Sequence, residues 1–319
     1  MKRKKIALGL WLTLTMAMVH SLAQLERKSL EGSLTISGAW ALYPMVVRWA
    51  EEFTKLYPRV HIDVQAGGAG KGMADVLAGL VDIGMVSRNI HSAEAEKGAL
   101  PIAVCRDAVV PTVSEKNPFR SQLLRHGVTR QLCVQIWVTE AATTWGHVLG
   151  SQAKAPLHVY TRSDACGAAE SWAAFLEKRQ EDLRGVGVYG DPGLAEAVRR
   201  DALAIGFNNI NYAYDSRTKK PVQGLVILPL DLNGNGRIDE DEDFYANRDA
   251  FTQAIARGIY PSPPARDLYL VTKGKPKNSL LVTFLAWILK EGQRYVAEAG
   301  YVELDPEKLA EGLEKIDSR

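Results

Sequence analysis

Cysteine is nearly absent: 319 residues carry only 3. Cys105, Cys133 and Cys166 are too few and too scattered for a disulfide framework, and no CxxC or Cys/His cluster offers a zinc site. One bridge, Cys105 to Cys133, stays open in an oxidising compartment; buried free thiols are the plainer expectation. Histidine is sparse as well, and His61, His91, His126, His147 and His158 stand apart from one another. No GxSxG and no HExxH occurs, which removes the common hydrolase signatures. Cys166, at an expected helix start, is left as the one candidate for an activated thiolate. No apolar run reaches the ~20 residues of a membrane span.

What the first residues do have is a leader pattern. Lys2, Arg3, Lys4 and Lys5 precede a short apolar run over 6–19, and Ser21, Leu22 and Ala23 supply small residues for cleavage. Residues 1–23 therefore read as a signal peptide, which places the mature chain in the periplasm or outside the cell. No cysteine follows the run, so a lipid anchor is not expected. The chain has a net charge of +2, of which residues 1–23 contribute four positives and no acid, leaving −2 for the remainder. No basic stripe survives, so nucleic acid is excluded as a partner.

After Pro44 the apolar positions Val46, Trp49, Ala50, Phe53 and Leu56 share one helical face. Val60, Ile62 and Val64 then alternate as a strand, and glycine-rich 67–72 leads into a helix with Met73, Val76, Leu77 and Leu80 inward. Strands are expected at 81–86, 108–113, 157–160 and 267–272, and helices at 129–137, 168–181, 192–202 and 279–291. Apolar stretches at 203–207 and 224–230 carry the chain back. This alternation predicts an α/β fold with a largely parallel sheet.

The strongest local motif spans 231–242. Asp231, Asn233, Asn235, Asp239 and Glu242 occupy positions 1, 3, 5, 9 and 12, Gly236 the sixth, and Arg237 would add a backbone carbonyl. This is the pattern of a twelve-residue, EF-hand-like calcium loop, since a hard cation needs oxygens at this density. A strand rather than a helix precedes it, so a structural Ca2+ is expected in a lone loop. The bland alternative is an Asn-Gly-rich solvated turn.

Two glycine-rich stretches fail as nucleotide sites. Gly70-Lys71 lacks the upstream glycine and the following Ser/Thr of a phosphate loop. Gly185 to Gly190 fits GxGxxG, without a preceding strand or a suitably spaced acid in the sequence. A different reading covers more of the chain. Three turns, at 37–41, 67–72 and 163–168, each open a predicted helix. Converging helix N-termini offer amide hydrogens and positive dipole ends to an anion. Arg162 can fork onto an oxyanion, and Asp164 can accept the proton that monohydrogen phosphate carries and sulfate lacks. On this reading Arg162→Ala loses binding and keeps the fold. Simple helix capping, and a surface ion pair of Arg162 with Asp164, are the plainer alternatives.

At this point the chain resembles the phosphate-type periplasmic solute-binding proteins of ABC importers. The likeness is carried by Ile36, Ser37 and Gly38 with Tyr43-Pro44, by Trp49 to Phe53, by the glycine turn at 67–72, and by Asp82, Gly84, Ser87 and Arg88. It continues through Thr143 to Gly146, Tyr260-Pro261, Arg266 to Gly274 and Gly292 to Val302. The resemblance implies a type II periplasmic-binding-protein fold: two lobes, each a mainly parallel sheet flanked by helices, with ligand in the cleft between them. Lobe one would comprise 24–112 and 224–319, lobe two 113–223. The implied pocket is Ala39, Trp40, Ala41, Leu42, Gly68, Ala69, Gly70, Lys71, Ser87, Arg162, Asp164, Cys166, Gly167 and Ala168.

The chain departs from the family where hydroxyl side chains usually stand, at Ala39, Trp40, Ala41, Ala69, Lys71, Cys166 and Ala168. Lost donors weaken or redirect binding; Lys71 can compensate with charge, and Trp40 can wall the pocket. The expected function is extracytoplasmic capture of phosphate by a monomer that serves an ABC-type permease, with no catalysis. The alternatives are another oxyanion or a phosphonate on the same fold, a calcium-ordered surface module, and a secreted hydrolase.

Overall fold

Residues 30–317 are described by a computed structural model; the leader expected at 1–23 lies outside them. Strand β1 (Glu31–Gly38) pairs in parallel with β2 (Arg59–Ala66) on one side and β3 (Ile83–Val86) on the other, so Ile36 faces both Val64 and Ile83. Helix α1 (Tyr43–Leu56) joins β1 to β2, and α2 (Ala69–Ala78) joins β2 to β3. Pro44 sits in the first turn of α1, and Met45, Val46, Trp49, Ala50 and Phe53 form its buried face, as the 3.6-residue period requires. Strand β3 is buried throughout, as a strand covered on both faces must be.

The chain then crosses the molecule once. Strand β4 (Ala99–Ser114) has 16 residues, enough to run about 50 Å. Its first part pairs antiparallel with β9 (Ala265–Lys273) as far as Ala108, and its second part with β7 (Ala204–Asn209) from Val109. Helix α3 (Arg130–Trp137), capped by Thr129, leads towards β5 (His158–Arg162). Helix α4 (Gly167–Phe175), β6 (Val186–Val188) and α5 (Gly190–Arg200) follow. Strand β5 lies parallel between β6 and β7, and β8 (Leu225–Ile227) lies on β4. Helices α6 (Arg248–Ala256), α7 (Ser279–Leu289) and α8 (Pro306–Ile316) complete the chain.

The strand order β2-β1-β3-β9-β4-β7-β5-β6 holds a parallel set at each end, with antiparallel crossing strands between them. Two apolar cores lie on either side of the crossing. One gathers Trp49, Phe53, Phe284 and Ile288; the other Trp137, Trp172, Phe207 and Phe251. Each such side chain contributes about 1.5–3 kcal/mol through burial. The result is an α/β, two-lobed arrangement. No described helix is long and apolar enough to cross a membrane.

Several boundaries move from their expected places. The strand expected at 108–113 starts nine residues earlier, at Ala99, because Arg106 and Asp107 interrupt an apolar alternation that is nevertheless extended. The helix expected over 168–181 ends at Phe175, since Glu177 takes a left-handed φ of 59° that no helix can contain. Gln180–Asp182 is a separate short turn. Val186–Val188, inside the GxGxxG stretch, is a strand that leads into α5.

Candidate functional site

The three glycine-bearing turns meet. The first leaves β1 at Gly38, whose φ is +132° and where a Cβ would stand 2.3 Å from the Met85 carbonyl oxygen; only glycine fits. Gly67 and Gly68 both donate their amides to the Gly38 carbonyl, at 2.8 and 3.0 Å, which ties the second turn to the first. The third turn follows β5 and opens α4, with Cys166 as its cap.

Contacts across the two lobes close the arrangement. The Gly70 amide donates to the Ala165 carbonyl at 3.1 Å. A Cβ on Gly68 would lie 3.0 Å from Asp164 Oδ2, and one on Gly167 would lie 2.1 Å from the Ser87 carbonyl oxygen. Gly190 packs on the Trp40 ring, and the Tyr212 hydroxyl donates to the Trp40 carbonyl at 3.1 Å. The closed cleft thus depends on residues without side chains at its contact points.

Which donors remain unspent decides what the turns can hold. The amides of Ala39, Leu42, Gly68 and Gly70 donate to backbone carbonyls, and that of Cys166 to Gln180 Oε1. Among the described residues, the amides of Trp40, Ala41, Ala69, Lys71, Gly167 and Ala168 make no backbone hydrogen bond. They belong to all three turns, and four of them open α2 and α4, whose dipoles add positive potential. Ser87, buried, is the one hydroxyl among the expected pocket residues. The Lys71 ammonium is bound to Asp75, which also accepts from Ser37 Oγ at 2.6 Å, so its charge is already matched.

Arg162 is fully buried rather than half of a surface pair. Its Nε and Nη2 fork onto Asp164 at 2.8 and 2.7 Å, and Nη1 reaches Asp191 Oδ2 at 2.6 Å. Burial lowers the pKa of its guanidinium, but Asp191, then Cys166 and Asp164, outweigh burial and hold it above the usual arginine value. Asp164 Oδ1 also accepts the Gly190 amide, at 3.2 Å, so Oδ2 has the freer lone pair.

Behind Arg162 stand residues distant from it in sequence. Asp191 accepts from Asn209 Nδ2 at 2.7 Å, and Asn209 Oδ1 accepts from Arg266 Nη2. Arg266 also binds Asp107, the Gly167 carbonyl and Ser171. Burial, opposed by Arg266, pushes the Asp107 carboxyl up to about 6. A continuous buried polar chain therefore runs from the crossing strands to the third turn. No local pattern marks Asp191 or Asn209; only the fold brings them together.

All three cysteines are free and buried. Burial, partly offset by Arg162, pushes the Cys166 thiol up to about 12, the opposite of an activated nucleophile. Thiol reagent added to native protein should therefore label none of the three within minutes and all three after denaturation. Rapid stoichiometric labelling of Cys166 would restore the hydrolase reading.

The 231–242 loop is folded around two buried acids. Asp231 accepts the Gly234 and Gly236 amides at 2.7 and 2.9 Å, and Glu242 Oε1 accepts that of Leu232 at 2.8 Å. Asn233 and Asn235 turn their amide nitrogens to Asp239, at 2.9 and 2.6 Å. Among the described residues no three His, Cys, Asp or Glu side chains cluster as a metal site; the candidate ligands of this loop are three acids, two side-chain amides and one backbone carbonyl.

Comparison with known proteins agrees with this architecture. The PBP superfamily domain matches residues 26–291. The phosphate-binding protein PstS of Pseudomonas aeruginosa is 26% identical over 313 residues, covering 90% of this chain and 87% of its own. Protein SphX of Synechococcus elongatus is 25% identical, covering 95% and 87%. Among solved structures, a putative phosphate ABC transporter substrate-binding protein with bound phosphate from Clostridium perfringens superposes with a TM-score of 0.70 at 21% identity, covering 86% of this chain and all of that one. An ABC-type phosphate transport receptor from Vibrio cholerae gives 0.62 at 19%, with 85% and 100% covered. By sequence and by fold alike, the chain belongs to the PBP (periplasmic binding protein) superfamily.

Proposed function

We propose that this protein captures phosphate between its two lobes, outside the cytoplasm, and delivers it to an ABC-type permease. The observation that carries this reading is the convergence of three turns, from both lobes, with unspent amides on each. The full-length relatives named for phosphate binding support the choice of ligand. Hydrogen bonds to a charged partner contribute about 1.5–3 kcal/mol each, so six amides and the two unused N–H groups of Arg162 suffice without side-chain hydroxyls. Asp164 Oδ2, beside Gly68, is the acceptor for the ligand's proton.

On this reading the protein binds and releases its ligand without catalysis. It acts as a monomer after removal of 1–23. The missing hydroxyls make other oxyanions and phosphonates the competing ligands. A thermal-shift panel of phosphate, sulfate, molybdate and a phosphonate tests this: phosphate should raise the melting temperature most. Equal shifts with sulfate would remove the role given to Asp164.

The loop at 231–242 is proposed to take a structural calcium ion. Asp231, Asn233, Asn235, the Arg237 carbonyl, Asp239 and Glu242 would hold it, and the ion would displace the asparagine contacts now made to Asp239. Calcium should raise the melting temperature and Asp231→Ala should eliminate the gain. Identical melts in calcium and in chelator would refute the metal site.

A further inference from the structure

A cavity of about 330 Å3 opens one residue past Ser87 and one helical turn past Gly167. Arg88, Arg106, Glu170, Arg266, Asp267 and Lys308 line it, and none of the pocket residues expected from sequence does. Four cations against two carboxylates is not by itself an anion site, because every cation here has an acidic neighbour. The distribution of unused hydrogen-bonding capacity is more telling.

Each acid has a cationic neighbour. Glu170 takes His91 Nε2 on one oxygen at 2.8 Å and Arg88 Nε on the other at 3.0 Å. Glu94 accepts from both terminal nitrogens of Arg88, at 2.8 and 2.6 Å, and Asp107 binds Arg266. Asp267 takes Lys308 on one oxygen and lies 3.1 Å from Arg106 Nε on the other. All five N–H groups of Arg266 are used.

Arg106 is different. Its Nε is buried, and the N–H is not aimed at Asp267, so that nitrogen has no hydrogen-bond partner. Its terminal nitrogens make no hydrogen bond within the described residues, and Lys308 uses one of its three donors. A buried nitrogen without a partner, as Nε is, is rare; the Arg106 side chain as a whole is 26% exposed and that of Lys308 41%, which leaves their other donors open to a ligand.

We infer that this cavity is a second anion site, in which the Arg106 guanidinium and the Lys308 ammonium hold a small oxyanion. The planar fork of Arg106 suits two oxygens of one tetrahedral group, and Lys308 supplies a point charge. The attraction here rests on charge and on the planar fork of Arg106, both of which act on any tetrahedral oxyanion. The site therefore does not separate phosphate from sulfate, unlike a turn site read by Asp164. Its existence does not depend on phosphate being the ligand between the lobes.

Sulfate is the probe. Titrated calorimetrically into the protein at low ionic strength, it should bind one equivalent. Arg106→Gln and Lys308→Gln should each weaken that binding at least tenfold, while Gly167→Ala leaves it unchanged. Each single variant leaves Asp267 with a cationic partner, and its thermal melt should match that of the wild type. No sulfate binding to the wild type, or binding untouched by both variants, overturns the second site. Binding lost only in Gly167→Ala overturns it too, by placing sulfate between the lobes. Failure of the phosphate reading is seen separately, as the absence of any phosphate-dependent signal that Gly167→Ala changes.

Discussion

Arg162→Ala is expected to cost the fold about 3–5 kcal/mol, because it leaves two carboxylates without their cation. Asp191 is 1% exposed and Asp164 8%, so water cannot replace the guanidinium at either. In sequence Arg162 reads as a ligand contact whose loss spares the fold; its burial between Asp164 and Asp191 makes it structural as well. Anion binding should disappear along with stability. The urea midpoint of the variant should fall sharply. Arg162→Lys should recover only part of the loss, since an ammonium cannot fork onto Asp164 and reach Asp191 together. An unchanged midpoint would mean that the two acids are protonated or hydrated without it.

Gly167→Ala should weaken phosphate binding tenfold to a hundredfold and leave the melting temperature of the unliganded protein almost unchanged. The added methyl would stand 2.1 Å from the Ser87 carbonyl oxygen and 2.3 Å from Ser87 Oγ, closer than any real contact. Overpacking of this kind costs about 1–3 kcal/mol, and every 1.4 kcal/mol is a factor of ten in affinity. The clash exists only when the lobes are shut. Ser87 and Gly167 lie in different lobes, so on the proposed function separating the lobes relieves the contact, and the penalty falls on binding rather than on folding. Calorimetry with inorganic phosphate reads it directly, and an affinity equal to that of the wild type would show that ligand binding does not require this contact.

The contrast between these two variants shows what was legible in the sequence. The glycines of the three turns were visible as helix starts, and their order along the chain placed them at strand ends, where α/β proteins bind ligands. The apolar face of α1 and the strand-helix alternation followed from periodicity alone. The Arg162–Asp164 pair is legible as neighbours in sequence, but the distant partners of Arg162 and Arg266 are not, because Asp191, Asn209 and Asp107 lie 18 to 159 positions from the groups they bind. Crossing strand β4 reads short in the sequence because its charges, half-buried Arg106 and buried Asp107, look like a solvated segment. Lys71 looked like a free charge in the second turn, yet Asp75, four residues on along α2, claims it.

The most direct test of the central claim is a crystal structure of the protein grown with phosphate. Tetrahedral density should lie among the turns, with oxygens about 2.7–3.2 Å from the amide nitrogens of Trp40, Ala41, Ala69, Gly167 and Ala168. Closed lobes with those amides bonded to water or to the chain itself, and phosphate bound elsewhere, would contradict it.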